Sequence, residues 1–216
     1  MSNESRRLIL QLSESGRLHF RINRPYSSRL TMFEEFKIRA EAVSAEVHRF
    51  ATKAESVDFI VDFLKSEGIA DTPRFGALWL DGSLLDSLER SHLSDQVPGL
   101  RFDVTRELAA EAKVGISQVD WAVAQTGTLL VDATSIEQRL VSSLPLVHIA
   151  LVATDRILPD MASAFGKFDP GRCGYLAAIT GPSRTADIER VLTIGVHGPK
   201  RLIIVFVDDL GGVEKQ

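Results

Sequence analysis

Apolar positions between residues 33 and 64 recur at spacings of three and four: Phe33, Phe36, Ala40, Val43, Val47, Phe50, Ala54, Val57, Val61 and Leu64. Taken alone, that stripe describes one long amphipathic helix or a coiled-coil strand. Two local signals divide it. Thr52-Lys53-Ala54-Glu55 has the form of a capping box, and residues 47–51 fit a short strand ahead of it. The pattern therefore predicts a helix over 31–44, a strand near 47–51 and a helix over 53–66 that ends near Gly68. Farther along, apolar runs alternate with helical periodicity, giving strands over 75–80, 101–104, 147–153, 175–180 and 201–207. Helices are predicted over 84–91, 106–112, 159–165 and 185–192. Leu202-Ile203-Ile204-Val205-Phe206-Val207 is apolar without alternation, as a strand buried on both faces of a parallel sheet must be. Residues 121–125 and 128–132 read as an antiparallel hairpin folded at Thr126-Gly127.

The predicted fold class is α/β, an open and mostly parallel sheet flanked by helices over residues 71–216. Residues 1–70 form an N-terminal arm and helical appendage, in which 18–22 alternates like a short strand and 24–28 reads as linker. The length of 216 residues suits one such core with an appendage. Residues 1–50 carry nine Lys/Arg against six Asp/Glu, so +3 of charge sits there and −7 on the remainder. A mildly basic arm on an acidic body argues against nucleic acid as a partner. No apolar run reaches the length of a membrane span, and Met1-Ser2-Asn3-Glu4 does not open a signal peptide, so a cytoplasmic chain without a membrane partner is expected. Cys173 is the single cysteine. One thiol builds neither an internal disulfide nor a Cys-ligated iron–sulfur cluster, and no intrinsic cofactor is expected.

The candidate chemistry gathers in two turns. Gly181-Pro182 follows an apolar strand, Ser183 or Thr185 can cap the helix predicted after it, and Arg184 adds a cation there, which together describe an anion site at a helix N-terminus. Gln125-Thr126-Gly127-Thr128 offers backbone N–H groups at a glycine turn with hydroxyl donors on either side. His148 opens a buried strand, and His197 lies in a turn between Gly195 and Gly198-Pro199. His197 is the leading acid–base candidate, while His148 reads first as a satisfied core group, with acid–base work its alternative. The nearby aspartates suit turns and caps, Cys173 has no base beside it, and no spacing of ligands suggests a metal. Neither a Gly-x-Gly-x-x-Gly fingerprint, a Walker loop nor a Gly-x-Ser-x-Gly elbow is present.

Gln125-Thr126-Gly127-Thr128-Leu129-Leu130, Leu144-Pro145-Leu146-Val147-His148, the stretch from Thr180 to Leu192 and Gly195-Val196-His197-Gly198-Pro199 resemble the LUD (lactate-utilisation) domain family. The resemblance is specific from about 115 to 208 and looser from 75 to 114. It implies an open sheet like those of ribose-5-phosphate isomerase, glucosamine-6-phosphate deaminase, coenzyme A transferases and 5-formyltetrahydrofolate cyclo-ligase, with a pocket at the carboxyl ends of the strands near the Thr126 and Ser183 turns. It further implies a non-redox subunit of a bacterial L-lactate oxidation system, beside iron–sulfur partners, or an enzyme of isomerase, transferase or cyclo-ligase type, or an assembly factor. On this view Gln125, Thr126, Gly127, Thr128, Gly181, Ser183, Arg184 and Thr185 contact a small anionic or phosphate-bearing ligand. Where the family commonly has Glu-Thr-Gly-Thr, this chain has Gln125. A carboxamide forms no acyl intermediate and serves as no base, which argues against transferase chemistry at that position.

Overall fold

The computed structural model describes residues 9–12, 18–21, 30–80, 82–85, 87–188, 191–194 and 198–210. The chain divides after Thr31 into two units. In the first, β1 (Ile9–Leu12) pairs antiparallel with β2 (Leu18–Arg21), the latter where the alternation predicts a strand. The second unit, residues 32–216, contains the segments expected as helical appendage as well as the α/β body, so the boundary expected at 70 falls inside it.

That unit opens as the pattern predicts, with α1 (Met32–Ala42), β3 (Glu46–Phe50) and α2 (Lys53–Ser66). The capping box forms: the Glu55 amide donates to Thr52 Oγ1 over 3.2 Å, and the Thr52 amide donates to Glu55 Oε2 over 3.3 Å. Closing two orphan donors at once starts α2 at Lys53 and rules out the continuous helix.

Six parallel strands form the main sheet in the order β3-β14-β9-β6-β4-β5. They are β4 (Ala77–Trp79), β5 (Leu100–Arg101), β6 (Val114–Gln118), β9 (Val147–Ala153) and β14 (Arg201–Val207) beside β3. One face packs Trp79, Ile116, Ile149 and Val205 against Ile60 and Leu64 of α2 and Leu93 of α3 (Ser87–Gln96). The other packs Ala150, Val152, Ile204 and Phe206 against Phe36 and Ala40 of α1 and against a second sheet. α4 (Arg106–Glu111) and α5 (Ile136–Ser143) share a smaller cluster around Leu78, Ala109 and Val141. The second sheet runs β10-β7-β8-β11. In it β7 (Trp121–Val123) and β8 (Thr128–Asp132) make the expected hairpin, flanked by β10 (Ile157–Leu158) and β11 (Leu176–Ile179). Among the described residues no helix is long and apolar enough to cross a membrane.

Three departures from the sequence pattern matter. β6 was not foreseen, because Gly115 and Ser117 interrupt its apolar run. A Cβ at Gly115 would lie 2.1 Å from the Val141 carbonyl oxygen, so the glycine is what lets α5 lie on the sheet. α5 itself was missed too, although Ser135 caps it by accepting from the Gln138 amide. The helix predicted over 185–192 is instead a hairpin, β12 (Arg184–Ile188) with β13 (Val191–Ile194). Thr185, Ile188, Val191, Thr193 and Ile194 are β-branched, and that preference for extended backbone prevails over the capping signal.

Adjacent parallel strands β4 and β6 send the chain to opposite faces. After β4 it enters α3, on the face of α2, whereas after β6 it enters β7, on the face of α1. The connections leaving their carboxyl ends thus part, and such a point is where open α/β sheets hold ligands.

Candidate functional site

The two turns singled out by the sequence do meet. Thr128 Oγ1 and Thr180 Oγ1 are 2.8 Å apart, across the antiparallel pair in which Leu129 faces Ile179. They meet, however, at the amino edge of the main sheet, beside the chain that enters β3 and β14. What they meet there is α1. Gly127 has φ +65°, and a Cβ on it would lie 2.4 Å from the Ala40 amide nitrogen. Gly181 has φ +73°, and its Cβ would lie 2.6 Å from the Val43 carbonyl oxygen. Both glycines are thus required by the close approach of the helix. Arg184 donates to the Val43 carbonyl, 2.7 Å, and to Ser44 Oγ, 2.9 Å, closing the carboxyl end of α1 with a cation. The Ser183 amide donates to the Pro199 carbonyl. Thr185 lies within β12, so the helix N-terminus expected to gather anion donors at Ser183 does not exist. Gln125 donates its amide to the Pro159 carbonyl, and Thr126 is exposed in the turn. The expected placement of these turns at the carboxyl ends of the strands is corrected accordingly.

An ion network covers another part of the amino edge. Arg201 grips Glu46 through two hydrogen bonds and reaches Glu67, which Lys113 also binds at 2.8 Å. The Lys113 hydrogen bond, with Arg201 behind it, holds the Glu67 carboxyl below its usual range.

His148 sits on the α1 face of β9 with 1% of its surface exposed. Its Nε2 is 3.0 Å from Ser117 Oγ, and Gln138 Nε2 donates to that same oxygen over 3.1 Å. Nδ1 is buried without a hydrogen-bond partner. Burial pushes the imidazole down to about 4, so it is neutral at pH 7. The geometry gives His148 the place of a core group that pins α5 to the sheet. His197 lies outside the described residues. The Cys173 thiol is pushed up by burial and by neighbouring Asp132, which fits the inert role expected for it.

At the carboxyl edge, where β4 and β6 end, lies a crevice with an enclosed volume of about 10 Å³, room for a single water. Trp79, Leu84, Leu85, Phe102 and Leu151 form its apolar wall, while Arg90 of α3 and Gln118 at the end of β6 are its charged and amide side chains. Among the described residues of this lining there is no Asp or Glu. A cation and an amide on an apolar wall give the crevice a positive character.

The model of the LUD domain matches residues 33–207. The chain belongs to the LUD-domain family. Lactate utilization protein C of Exiguobacterium sp. is 36% identical over 117 residues, half of each chain. The protein of that name from Halalkalibacterium halodurans is 28% identical over 184 residues, 80% of this chain and 75% of its own. The one from Geobacillus kaustophilus is 31% identical over 153 residues, 65% of this chain and 62% of its own. The chain thus covers about half the length of the Exiguobacterium relative it matches. The crystal structure of a DUF162 family protein from Deinococcus radiodurans, at 1.70 Å resolution, superposes with a TM-score of 0.49 at 17% identity, covering 82% of this chain and 96% of that one.

The LUD match begins at residue 33, so α1, β3 and α2 belong to the matched domain. Sequence reasoning missed Arg90 and Gln118 as site residues. Arg90 sits in the polar run Glu89-Arg90-Ser91-His92, where nothing separates it from a solvated helix face. Gln118 ends the strand that was not foreseen. The signal that could have found it is Val114-Gly115-Ile116-Ser117-Gln118, an apolar alternation with small residues on its second face.

Proposed function

We propose that this LUD domain serves a lactate-utilisation system as a non-redox subunit in the cytoplasm. It binds a small anion near the carboxyl ends of β4 and β6 and works beside iron–sulfur subunits that carry the electrons. The names of its relatives support the pathway. The division of labour is supported by Cys173 being the single cysteine, which leaves cluster ligation to other chains. The observation that carries the ligand reading is the position of Arg90 in an apolar crevice at the point where β4 and β6 part. The guanidinium, which also has a partner within the chain, contributes positive charge to that wall.

A second reading keeps the anion at the Thr126-Gly127-Thr128 and Gly181-Ser183-Arg184 turns. It is favoured by the hydrogen bond between Thr128 and Thr180 that brings the turns together. Calorimetric titration of the purified chain with L-lactate, pyruvate, acetate and phosphate separates the two. Arg90→Met is expected to weaken binding of the preferred anion by about 1.5–3 kcal/mol, the worth of a hydrogen bond to a charged group, and Arg184→Ala to leave it unchanged. The opposite pattern moves the ligand to the amino edge. Deletion of the gene is expected to abolish growth on lactate, and undiminished growth would remove the assignment to that pathway.

A further inference from the structure

The edge strands of the two larger sheets end those sheets in different ways. β5 and β10 are two residues long, and β3 carries Glu46 and Arg49. Shortness and charge are common devices that keep an edge from adding another strand. β11 has neither. It is Leu176-Ala177-Ala178-Ile179, without charge or proline and in unbroken register with β8.

Hydrogen bonding fixes which of its backbone groups point outward. The Ala133 amide donates to the Tyr175 carbonyl over 2.8 Å, and the register continues with Leu176 opposite Asp132 and Ala177 opposite Val131. Residues of an antiparallel pair alternate between exchanging both bonds and exchanging none, so Ala177 and Ile179 bond to β8. The amides and carbonyls of Leu176 and Ala178 therefore face away from the sheet, and among the described residues no strand of that sheet lies beyond them. β11 is also fixed in place. Ala177 and Ile179 pack against the cluster that holds Phe206, Thr134 Oγ1 accepts from the Gly174 and Tyr175 amides ahead of the strand, and Thr180 meets Thr128 behind it. A preformed row of donors and acceptors loses little freedom when a strand joins it.

The register decides what fits there. With a second β11 running antiparallel beside the first, Leu176 of each copy exchanges hydrogen bonds with Ala178 of the other, and every outward group is satisfied. The two Ala177 residues then face each other on the axis as a non-hydrogen-bonded pair, where side chains come closest and small ones fit. Tyr175 falls opposite Ile179, an aromatic residue beside a β-branched one, and no charge meets its own copy, the usual obstacle to self-pairing. We propose that β11 is a self-association edge, at which two copies of this chain join their second sheets by antiparallel β11–β11 pairing about a two-fold axis at Ala177.

Sedimentation velocity of the full chain tests this at concentrations up to about 100 μM, since so small an interface associates weakly. The unaltered chain is expected to pass from monomer toward dimer over that range, and a chain that stays monomeric throughout overturns the proposal. Ala178→Pro removes an outward N–H that the fold does not use, so it is expected to weaken dimerisation by about tenfold or more with the urea midpoint unchanged. Ala177→Pro removes a bond to β8 instead and is expected to lower the midpoint, which checks the direction of the ladder. Dimerisation of Ala178→Pro as tight as that of the unaltered chain overturns the proposal. Cross-linking tests the register even if Ala178→Pro proves unstable. In a Cys173→Ser background, Ala177→Cys is expected to form an intermolecular disulfide on mild oxidation, because facing residues of a non-hydrogen-bonded pair lie within bridging distance. A dimer that forms without this cross-link pairs through another surface and overturns the assignment to β11.

Discussion

The two edges of the main sheet use similar residue types for different ends. At the amino edge, glycines, hydroxyls and an arginine converge, and what they converge on is another part of the chain. Gly127 and Gly181 admit the backbone of α1, Arg184 closes its last turn, and Arg201 and Lys113 are occupied by Glu46 and Glu67. At the carboxyl edge, the chain leaves β4 and β6 for opposite faces, and Arg90 and Gln118 line a narrow crevice there. A cluster of donors is therefore a weak sign of a ligand until its partners are known. Helix ends and anionic ligands ask for the same chemistry.

The sharpest way to break this contrast is Gly127→Ala. A methyl there meets the α1 backbone and holds a positive φ, so a loss of about 3–4 kcal/mol in urea unfolding is expected from overpacking and backbone strain together. Wild-type stability in that variant would mean that the helix does not need the glycine and that the turn is free for another purpose.

The buried network between the edges comes next. The His148 imidazole is held near 4 against an ordinary value of about 6.5, so as pH falls below 6.5 the unfolded chain takes up a proton that the folded chain refuses. Stability is present in full above pH 6.5 and is lost progressively toward pH 4, by about 3 kcal/mol in total. His148→Met, which cannot titrate, is expected to flatten the stability curve over that window. Parallel curves for the two proteins would show that His148 is accessible to protons when folded, and would return it to the list of acid–base candidates.

The smallest effect sharpens the role of Arg184. Replacing it by alanine removes the cap on α1 and should cost about 1 kcal/mol in unfolding free energy, with the affinity for small anions unmoved. A variant that keeps its stability and loses anion binding would place the ligand at the amino edge.

How far the sequence could be read varied with the kind of signal. Long apolar runs gave β9 and β14, and the capping box at Thr52 gave the break between β3 and α2, because each is a local property of consecutive residues. β6 stayed hidden since its second face is built from Gly115 and Ser117, residues whose place depends on α5 lying against them. The hairpin β12-β13 was mistaken for a helix because a Ser-Arg-Thr start looks the same whether or not β-branched residues follow in extended form. Of the residues named from sequence, the Thr126 to Thr128 and Gly181 to Arg184 groups were rightly seen as neighbours. Their edge of the sheet was not.

By itself, the sequence determined the α/β class, the parallel sheet and the family, since hydrophobic period, cap residues and motif spacing are carried by the chain whatever its final packing. Tertiary structure alone decided what each donor meets. That depends on where α1 and α5 come to rest and on β4 and β6, separated by α3, β5 and α4 in the chain, lying side by side. No local pattern encodes the distance between residues that far apart.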